Sequence, residues 1–313
     1  MKVSVFMKLV EIQTKIASLF PFLLGVLFSA YYFSEFNFWN TLLFFVAMIL
    51  FDMTTTAINN LMDFQKAKDK TYQQNVNIIG RTGLSEKKVI RLIFIMLGLS
   101  IVLGLILVYR TTFLLLAIGV VCFAIGIFYT FGPIPISRTP LGEILSGLTM
   151  GFGIFFIAVL INDSDGSLIR LAFEGPEFFL TGNLQAIFSV FLVSLPTVFL
   201  ISNIMLANNT CDLEEDIVNH RFTLPFYIGK ERAVLLFNLL MYLCYVIIAL
   251  SVVLGYLHPL MLAVFITFPL IKKNLNAYNQ KQIKTETFVV AIKNVVLFSS
   301  VEVGLLALSL FFV

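Results

Sequence analysis

AINNLMDFQKAKDK, residues 57–70, places Asn59, Asn60 and Asp63 in the pattern N-N-x-x-D at the close of a long apolar run. The pattern returns 149 positions later in ANNTCDLEEDIVNHR, as Asn208, Asn209 and Asp212. That copy also closes an apolar run of membrane length, and both are followed by loops carrying charge of both signs. The 313-residue chain is 59% hydrophobic and only 12% charged, with a mean hydropathy of +0.96. A soluble domain carries about 25% charge, and its core cannot hide this much apolar surface. The composition therefore implies an all-α, polytopic membrane protein. A membrane barrel would instead show alternating segments of about 10 residues. Three unclustered cysteines, Cys122, Cys211 and Cys244, suggest neither a disulfide framework nor a zinc site. The net charge of +3 is no sign of a nucleic-acid partner. The first apolar run lacks a small-residue cleavage site and is read as a span, not as a signal peptide.

Nine runs suit membrane-spanning helices: Ile16–Phe33, Phe38–Ile58, Leu92–Val108, Phe113–Phe131, Ile144–Ile161, Ala186–Ala207, Ala233–Leu254, Gly255–Ile271 and Val289–Val313. The eighth is short and holds two prolines, but the charges require it. With the N-terminus inside and nine spans, 19 of the 21 Lys and Arg lie on the inner side, leaving Arg110 and Arg170 outside. The expectation is a cell-membrane protein with a cytoplasmic N-terminus, an outer C-terminus and both N-N-x-x-D copies facing the cytoplasm. The chain reads as one domain, residues 1–313, with a pseudo-repeat of helices one to four and five to eight followed by a ninth.

Residues four apart on a helix share a face. Asn59 aligns with Asp63, and Asn208 with Asp212 and Asp216. Such oxygen ligands suit Mg²⁺, which takes one or two carboxylates together with phosphate oxygens and water. His220 and His258 fall on opposite sides of the membrane, which speaks against zinc. Lys66 and Lys68 beside Asp63, Arg81 in IIGRTGLS, and Arg221 in NHRFTLPFYIG are cations suited to a departing diphosphate. The competing readings are polar helix ends with topology-setting lysines, and a transporter with a dicarboxylate gate. Acids at the water edge with basic neighbours favour phosphate over a bare cation. Asp52 lies within the second span, about three turns from Asp63 and on its face. A carboxylate there is a functional candidate by default, the alternative being a hydrogen bond to Thr54–Thr56 or a neighbouring helix. Glu302 has no motif around it and reads as structural. Tyr72, Phe128 and Tyr129, near inner helix ends, suit the wall of a site that forms a carbocation.

NNLMDFQKAKD resembles the first aspartate-rich motif of the UbiA superfamily of membrane prenyltransferases, and NNTCDLEED followed by HRFTL resembles the second. YTFGPIPISRTPLGE, Tyr129 to Glu143, resembles the Y-T-x-G-P-x-P-I-x-x-T-P-x-G-E segment of the 1,4-dihydroxy-2-naphthoate polyprenyltransferase branch, which serves menaquinone synthesis. The resemblance covers nearly the whole chain. It implies transfer of a polyprenyl group from polyprenyl diphosphate to an aromatic acceptor, with 1,4-dihydroxy-2-naphthoate giving demethylmenaquinone. It also implies Mg²⁺ held by Asp63, Asp69, Asp212 and Asp216, and a diphosphate bound with the help of Arg81 and Arg221. Asn59, Asn60, Lys66, Lys68, Tyr129 and Asn208 join the expected substrate site. Asp52 or Asp63 is expected to orient an acceptor hydroxyl or take its proton. Other acceptors of the superfamily, 4-hydroxybenzoate, haem or a glycerol phosphate, are the nearest rivals.

Three residues depart from the family pattern. Asn60 stands where an acid is usual, Lys15 where the naphthoate branch is apolar, and Asp52 where Gln or an apolar residue is usual. With Asn60 at the metal edge, an acid at position 60 is expected to keep or raise activity. With Asn60 facing the acceptor, the same change is expected to weaken acceptor binding.

Overall fold

The computed structural model describes residues 2–67, 70, 72–132 and 135–312, with the backbone alone for Lys66, Tyr72 and Val76. In chain order the helices are α1 (Val3–Leu9), α2 (Ile16–Phe28), α3 (Phe38–Lys66), α4 (Ile78–Thr82), α5 (Glu86–Arg110), α6 (Leu114–Phe128), α7 (Gly142–Ser146) and α8 (Ile154–Leu160). Strands β1 (Ile169–Glu174) and β2 (Glu177–Gly182) follow. Then come α9 (Leu184–Cys211), α10 (Leu213–Val218), α11 (Leu224–Ile228), α12 (Lys230–Val253), α13 (Phe268–Gln280) and α14 (Val289–Ser309). Among the described residues, eight helices are long and apolar enough to cross a membrane.

The eight correspond to the expected runs with shifted ends. The second continues to Gln65, and the first N-N-x-x-D lies on the last turns of α3. The fourth run forms only α6, 15 residues long, which at 1.5 Å per residue spans about 22 Å against a hydrocarbon core of about 30 Å. The eighth begins at Pro259 and ends at Gln280, not at Gly255 and Ile271. Gly255 takes φ +75°, a conformation that stops α12 and that a side chain would disfavour. His258 Nδ1 then accepts from Leu260 N at 3.1 Å, and Pro259 opens the new helix as a 3₁₀ stretch over Pro259–Thr267. Lys272 and Lys273, expected in a loop, therefore lie on α13.

The all-α architecture carries one short hairpin that the sequence reading did not name. Strands β1 and β2 pair antiparallel, from Ile169 opposite Gly182 to Glu174 opposite Glu177. Ile, Leu and Phe at alternate positions of IRLAFE favour a strand, and the intervening Gly175 turns the chain at φ +62°.

The chain forms two compact units. The first comprises residues 1–18 and 42–135. Its core joins Leu9 and Val10 to Ala57 and Leu61 of α3, Ile78 and Ile79 of α4, and Val89, Ile93 and Met96 of α5. Phe51 of α3 stacks on Phe123 of α6 with ring centroids 4.0 Å apart. Ser100 Oγ donates to Ala47 O at 2.8 Å, tying α5 to α3.

The second unit comprises residues 19–41 and 136–313 and is built around α9. The α7–α8 segment crosses α9 where it carries glycine. A Cβ at Gly147 would stand 2.1 Å from Ser202 Oγ, and one at Gly151 would stand 2.6 Å from Val198 Cα. On another side α12 packs against α9, with Asn203 Nδ2 donating to Phe237 O at 2.9 Å. Asn274 Nδ2 donates to Asn294 Oδ1 at 2.8 Å between α13 and α14. These pairings bring the C-terminal turn of α9, which carries the second N-N-x-x-D, among α7, α10 and the turn that precedes α14.

Candidate active site

The two motif copies fall one in each unit. In the first unit, Ala57 and Leu61 of α3 are buried, and Asn59 and Asp63 are consequently exposed together. Asn60 turns towards the N-terminal segment. Its Nδ2 donates to Leu9 O and Glu11 Oε1, both at 3.1 Å, and to Thr56 O at 3.3 Å. Asn77 Nδ2 donates in turn to Asn60 O at 3.0 Å, while Asn77 Oδ1 caps α4 by accepting from Ile79 N at 2.9 Å. Arg81 projects from α4 into a cleft of about 450 Å³ that it shares with Lys8, Glu11, Gln13, Asn60, Asn77 and Ile78. The structure thus brings Asn60 and Arg81 to one polar cleft, with the Asn60 amide spent as a donor to backbone and to Glu11.

Asp52 sits deeper on α3, with both carboxylate oxygens taken. Lys15 Nζ lies 2.5 Å from Oδ1, and Ser18 Oγ donates to Oδ2. The same ammonium donates to Thr56 Oγ1 at 2.7 Å and to Asp52 O at 3.2 Å, which uses all three of its protons. The two departures at positions 15 and 52 are therefore partners in a single ion pair. Tyr129 follows α6, partly buried, with its N donating to Ile125 O at 2.8 Å. Lys68 and Asp69 lie outside the described residues, as does the Lys66 side chain.

In the second unit, Asn208 and Asp212 share a cation that sequence reasoning did not anticipate. Lys284 Nζ donates to Asn208 Oδ1 and lies 2.5 Å from Asp212 Oδ2. Asn209 points the other way, fully buried, and donates through Nδ2 to Glu143 Oε1 at 2.8 Å. Glu143 is the last residue of the YTFGPIPISRTPLGE segment. Asp216, on α10, is buried, with Arg221 Nε at 3.3 Å from Oδ1 and Arg221 N donating to Asp216 O at 2.8 Å. Burial holds the Asp216 carboxyl above the usual aspartate range. Arg221 works against that shift, Asp212 adds to it, and Lys284 opposes it. Phe222 N donates to Arg138 O at 3.1 Å, fastening the loop after α10 to the segment before α7.

The fit of a hard divalent cation is legible in these atoms. Asp216 Oδ2 and Glu143 Oε2 are buried with no hydrogen-bond donor among the described residues, a costly state for a carboxylate oxygen. The Lys284 ammonium already marks Asn208 Oδ1 and Asp212 Oδ2 as a place for positive charge. No group of three acids, histidines or cysteines forms a cage among the described residues. Mg²⁺ shared with substrate phosphates needs none, because it is held by one or two carboxylates and completes its shell with phosphate oxygens and water.

Sequence reasoning missed Lys284 because 72 residues separate it from Asp212 and a lysine in an inner loop reads as a topology residue. Glu143 was visible at the end of a quoted segment, but nothing in the sequence linked it to Asn209.

Residues 18–294 match the model of the UbiA prenyltransferase family. The chain is 30% identical over 262 residues to the 1,4-dihydroxy-2-naphthoate octaprenyltransferase of Bacillus subtilis (strain 168), covering 82% of this chain and 76% of that one. Its fold is similar to that of a digeranylgeranylglyceryl phosphate synthase, with a TM-score of 0.66, 16% identity and 99% of each chain covered. A UbiA homolog from Archaeoglobus fulgidus, bound to DMAPP and Mg²⁺, gives a TM-score of 0.63 at 13% identity, covering 98% of this chain and 99% of that one.

Proposed function

Because the chain belongs to the UbiA prenyltransferase family, we propose that it transfers a polyprenyl group from polyprenyl diphosphate to 1,4-dihydroxy-2-naphthoate, giving demethylmenaquinol, the reduced form of demethylmenaquinone. The observation that carries this reading is the repeated N-N-x-x-D, each copy with an arginine downstream. The 30% identity to a naphthoate octaprenyltransferase supports the acceptor. In the reaction, the prenyl C–O bond breaks with its electron pair leaving on diphosphate. The aromatic ring supplies the pair for the new C–C bond, and carbon dioxide is lost from the acceptor.

Asp63 and Asp69 on one motif, and Asp212 and Asp216 on the other, would hold Mg²⁺. The Mg²⁺ that the Archaeoglobus homolog binds together with DMAPP supports this assignment. Mg²⁺ supplies charge neutralisation for the departing diphosphate. Arg81 and Arg221, with Lys66 and Lys68, hold the diphosphate oxygens and stabilise the charge that grows there. Asn59 and Asn208, one turn before their aspartates, add neutral oxygen ligands or amide donors. Tyr129 offers an aromatic face to the allylic cation. Asp63 is left to orient the acceptor hydroxyl or take its proton. Asp52, with both oxygens engaged, is reassigned from chemistry to holding Lys15 and Ser18 in place.

Nine crossings, a cytoplasmic N-terminus and a cell-membrane site facing the cytoplasm complete the proposal. The short α6 must cross for the two motifs to share a compartment, since without it the second motif would emerge on the opposite side. Purified enzyme with Mg²⁺, farnesyl diphosphate and 1,4-dihydroxy-2-naphthoate should release diphosphate and carbon dioxide and form a prenylated naphthoquinol identifiable by mass spectrometry. Diphosphate release with 4-hydroxybenzoate and none with the naphthoate would sink the acceptor assignment. Release with no aromatic acceptor would sink prenyl transfer to an aromatic ring.

A further inference from the structure

We propose that Lys284 is an exchangeable cation of the second motif. Its ammonium holds Asn208 and Asp212 while diphosphate is absent, and moves onto the diphosphate when a divalent cation takes those oxygens. The proposal rests on the prenyl-transfer reading and adds a diphosphate-binding residue from the opposite end of the second unit's sequence.

The first argument is occupancy. Asn208 Oδ1 and Asp212 Oδ2, the atoms that Lys284 engages, are hard oxygen donors of the kind a divalent cation requires. An ammonium can give hydrogen bonds but accept none, so it satisfies these oxygens only as a substitute positive charge. A divalent ion on Asp212 Oδ2 and an ammonium 2.5 Å from the same atom would repel one another. The anion then available to the ammonium would be the substrate diphosphate.

Placement is the second. The turn that carries Lys284 is closed by Ile283 N donating to Thr287 Oγ1 and Thr287 N donating to Ile283 O, both at 2.8 Å. Thr287 is buried, and an ion pair between Lys281 and Glu286 spans the same turn. The backbone is thereby held, and the ring of Phe288 has its centroid 4.9 Å from the ammonium. Lys284 is aimed at the motif by its turn, and only its flexible side chain has to move.

The third is lability. Lys284 is 42% exposed and Asp212 22%, and ion pairs so open to water are weak. Exchange is therefore easy in both directions. With substrate present, the ammonium adds positive charge where the leaving group develops its negative charge. After diphosphate departs, it returns to Asn208 and Asp212. No covalent bond changes, and the ammonium stays protonated throughout.

The test uses the detergent-solubilised full chain, with Mn²⁺ read by its free-ion EPR signal and inorganic pyrophosphate titrated in its presence. Lys284→Gln should bind Mn²⁺ about two- to fivefold more tightly than the wild type without pyrophosphate, the range expected for removal of an exposed competing charge. In the presence of Mn²⁺ it should bind pyrophosphate several-fold more weakly. Lys284→Arg should keep the weak Mn²⁺ binding of the wild type. Unchanged affinities in Lys284→Gln would overturn the exchange while leaving the metal site and the prenyl-transfer reading intact. Absence of Mn²⁺ binding in wild type and variant alike, with or without pyrophosphate, would overturn both.

Discussion

Lys15 and Asp52, 37 residues apart, form an ion pair at 2.5 Å with side-chain exposures of 7% and 14%. Each residue alone departs from the family pattern, and together they cancel. Removing one partner of a buried pair leaves a charge uncompensated, typically at a cost of about 3–5 kcal/mol. Replacing both with apolar groups of similar volume is often neutral. Lys15→Met should therefore lower the thermal midpoint markedly, and Asp52→Leu should do the same. The double variant should recover most of the loss. A double variant no more stable than either single one would show that the two side chains are not energetically coupled.

Asn60→Asp tests the position of the unusual amide. The Asn60 Nδ2 donates to Leu9 O and to Glu11. An ionised Asp has no proton to give and would stand beside the Glu11 carboxylate and the Leu9 carbonyl. The expected result is a loss of about 1–3 kcal/mol and lower activity, with no gain in Mg²⁺ affinity. Tighter Mg²⁺ binding with full stability would return Asn60 to the metal edge.

Glu143 should matter to catalysis without touching substrate. Its Oε1 holds the buried Asn209 amide at 2.8 Å, and Asn209 sits between Asn208 and the last residues before Asp212. Glu143→Ala leaves a buried donor unsatisfied, and kcat should fall at least about tenfold for a misplaced motif. Glu143→Gln retains an acceptor and should be milder. Steady-state kinetics on both decide it: equal, wild-type-like values would make Glu143 a packing residue only.

Asp63→Ala and Asp212→Ala should each lower turnover by orders of magnitude, and EDTA should do the same to the wild type, with Mg²⁺ restoring it. Asp→Asn at either position should fail as well, because an amide offers oxygen without the charge that holds a hard cation. Full turnover after thorough chelation would remove the metal from the mechanism.

A reporter fused after Val313 examines the crossings. If α6, only 15 residues long, crosses with the eight longer helices, the two termini lie on opposite sides. The reporter should then act only on the outer side. Cytoplasmic activity there would remove one crossing: the eighth, which leaves the two motifs on one side, or α6, which would separate them.

Much of this protein is written in local sequence. Apolar runs of membrane length have no alternative to helix in lipid, because every backbone N–H and C=O must be satisfied within the segment. The long apolar helices were therefore legible, down to the reading of HPLMLAVFITFPLI as part of a helical segment long and apolar enough to cross. The paired N-N-x-x-D was legible too, because four-residue spacing on a helix places Asn59 with Asp63 and Asn208 with Asp212. The direction of each side chain was not. Asn60 and Asn209 occupy similar places in their motifs, yet one donates to Leu9 O and Glu11 and the other to Glu143. Those partners lie 51, 49 and 66 residues away. Lys15 with Asp52, and Lys284 with Asp212, likewise meet only when separate helices pack. Helical periodicity determines which face a residue occupies. Which partner meets that face depends on interhelical contacts between distant segments, and only the tertiary structure decides it.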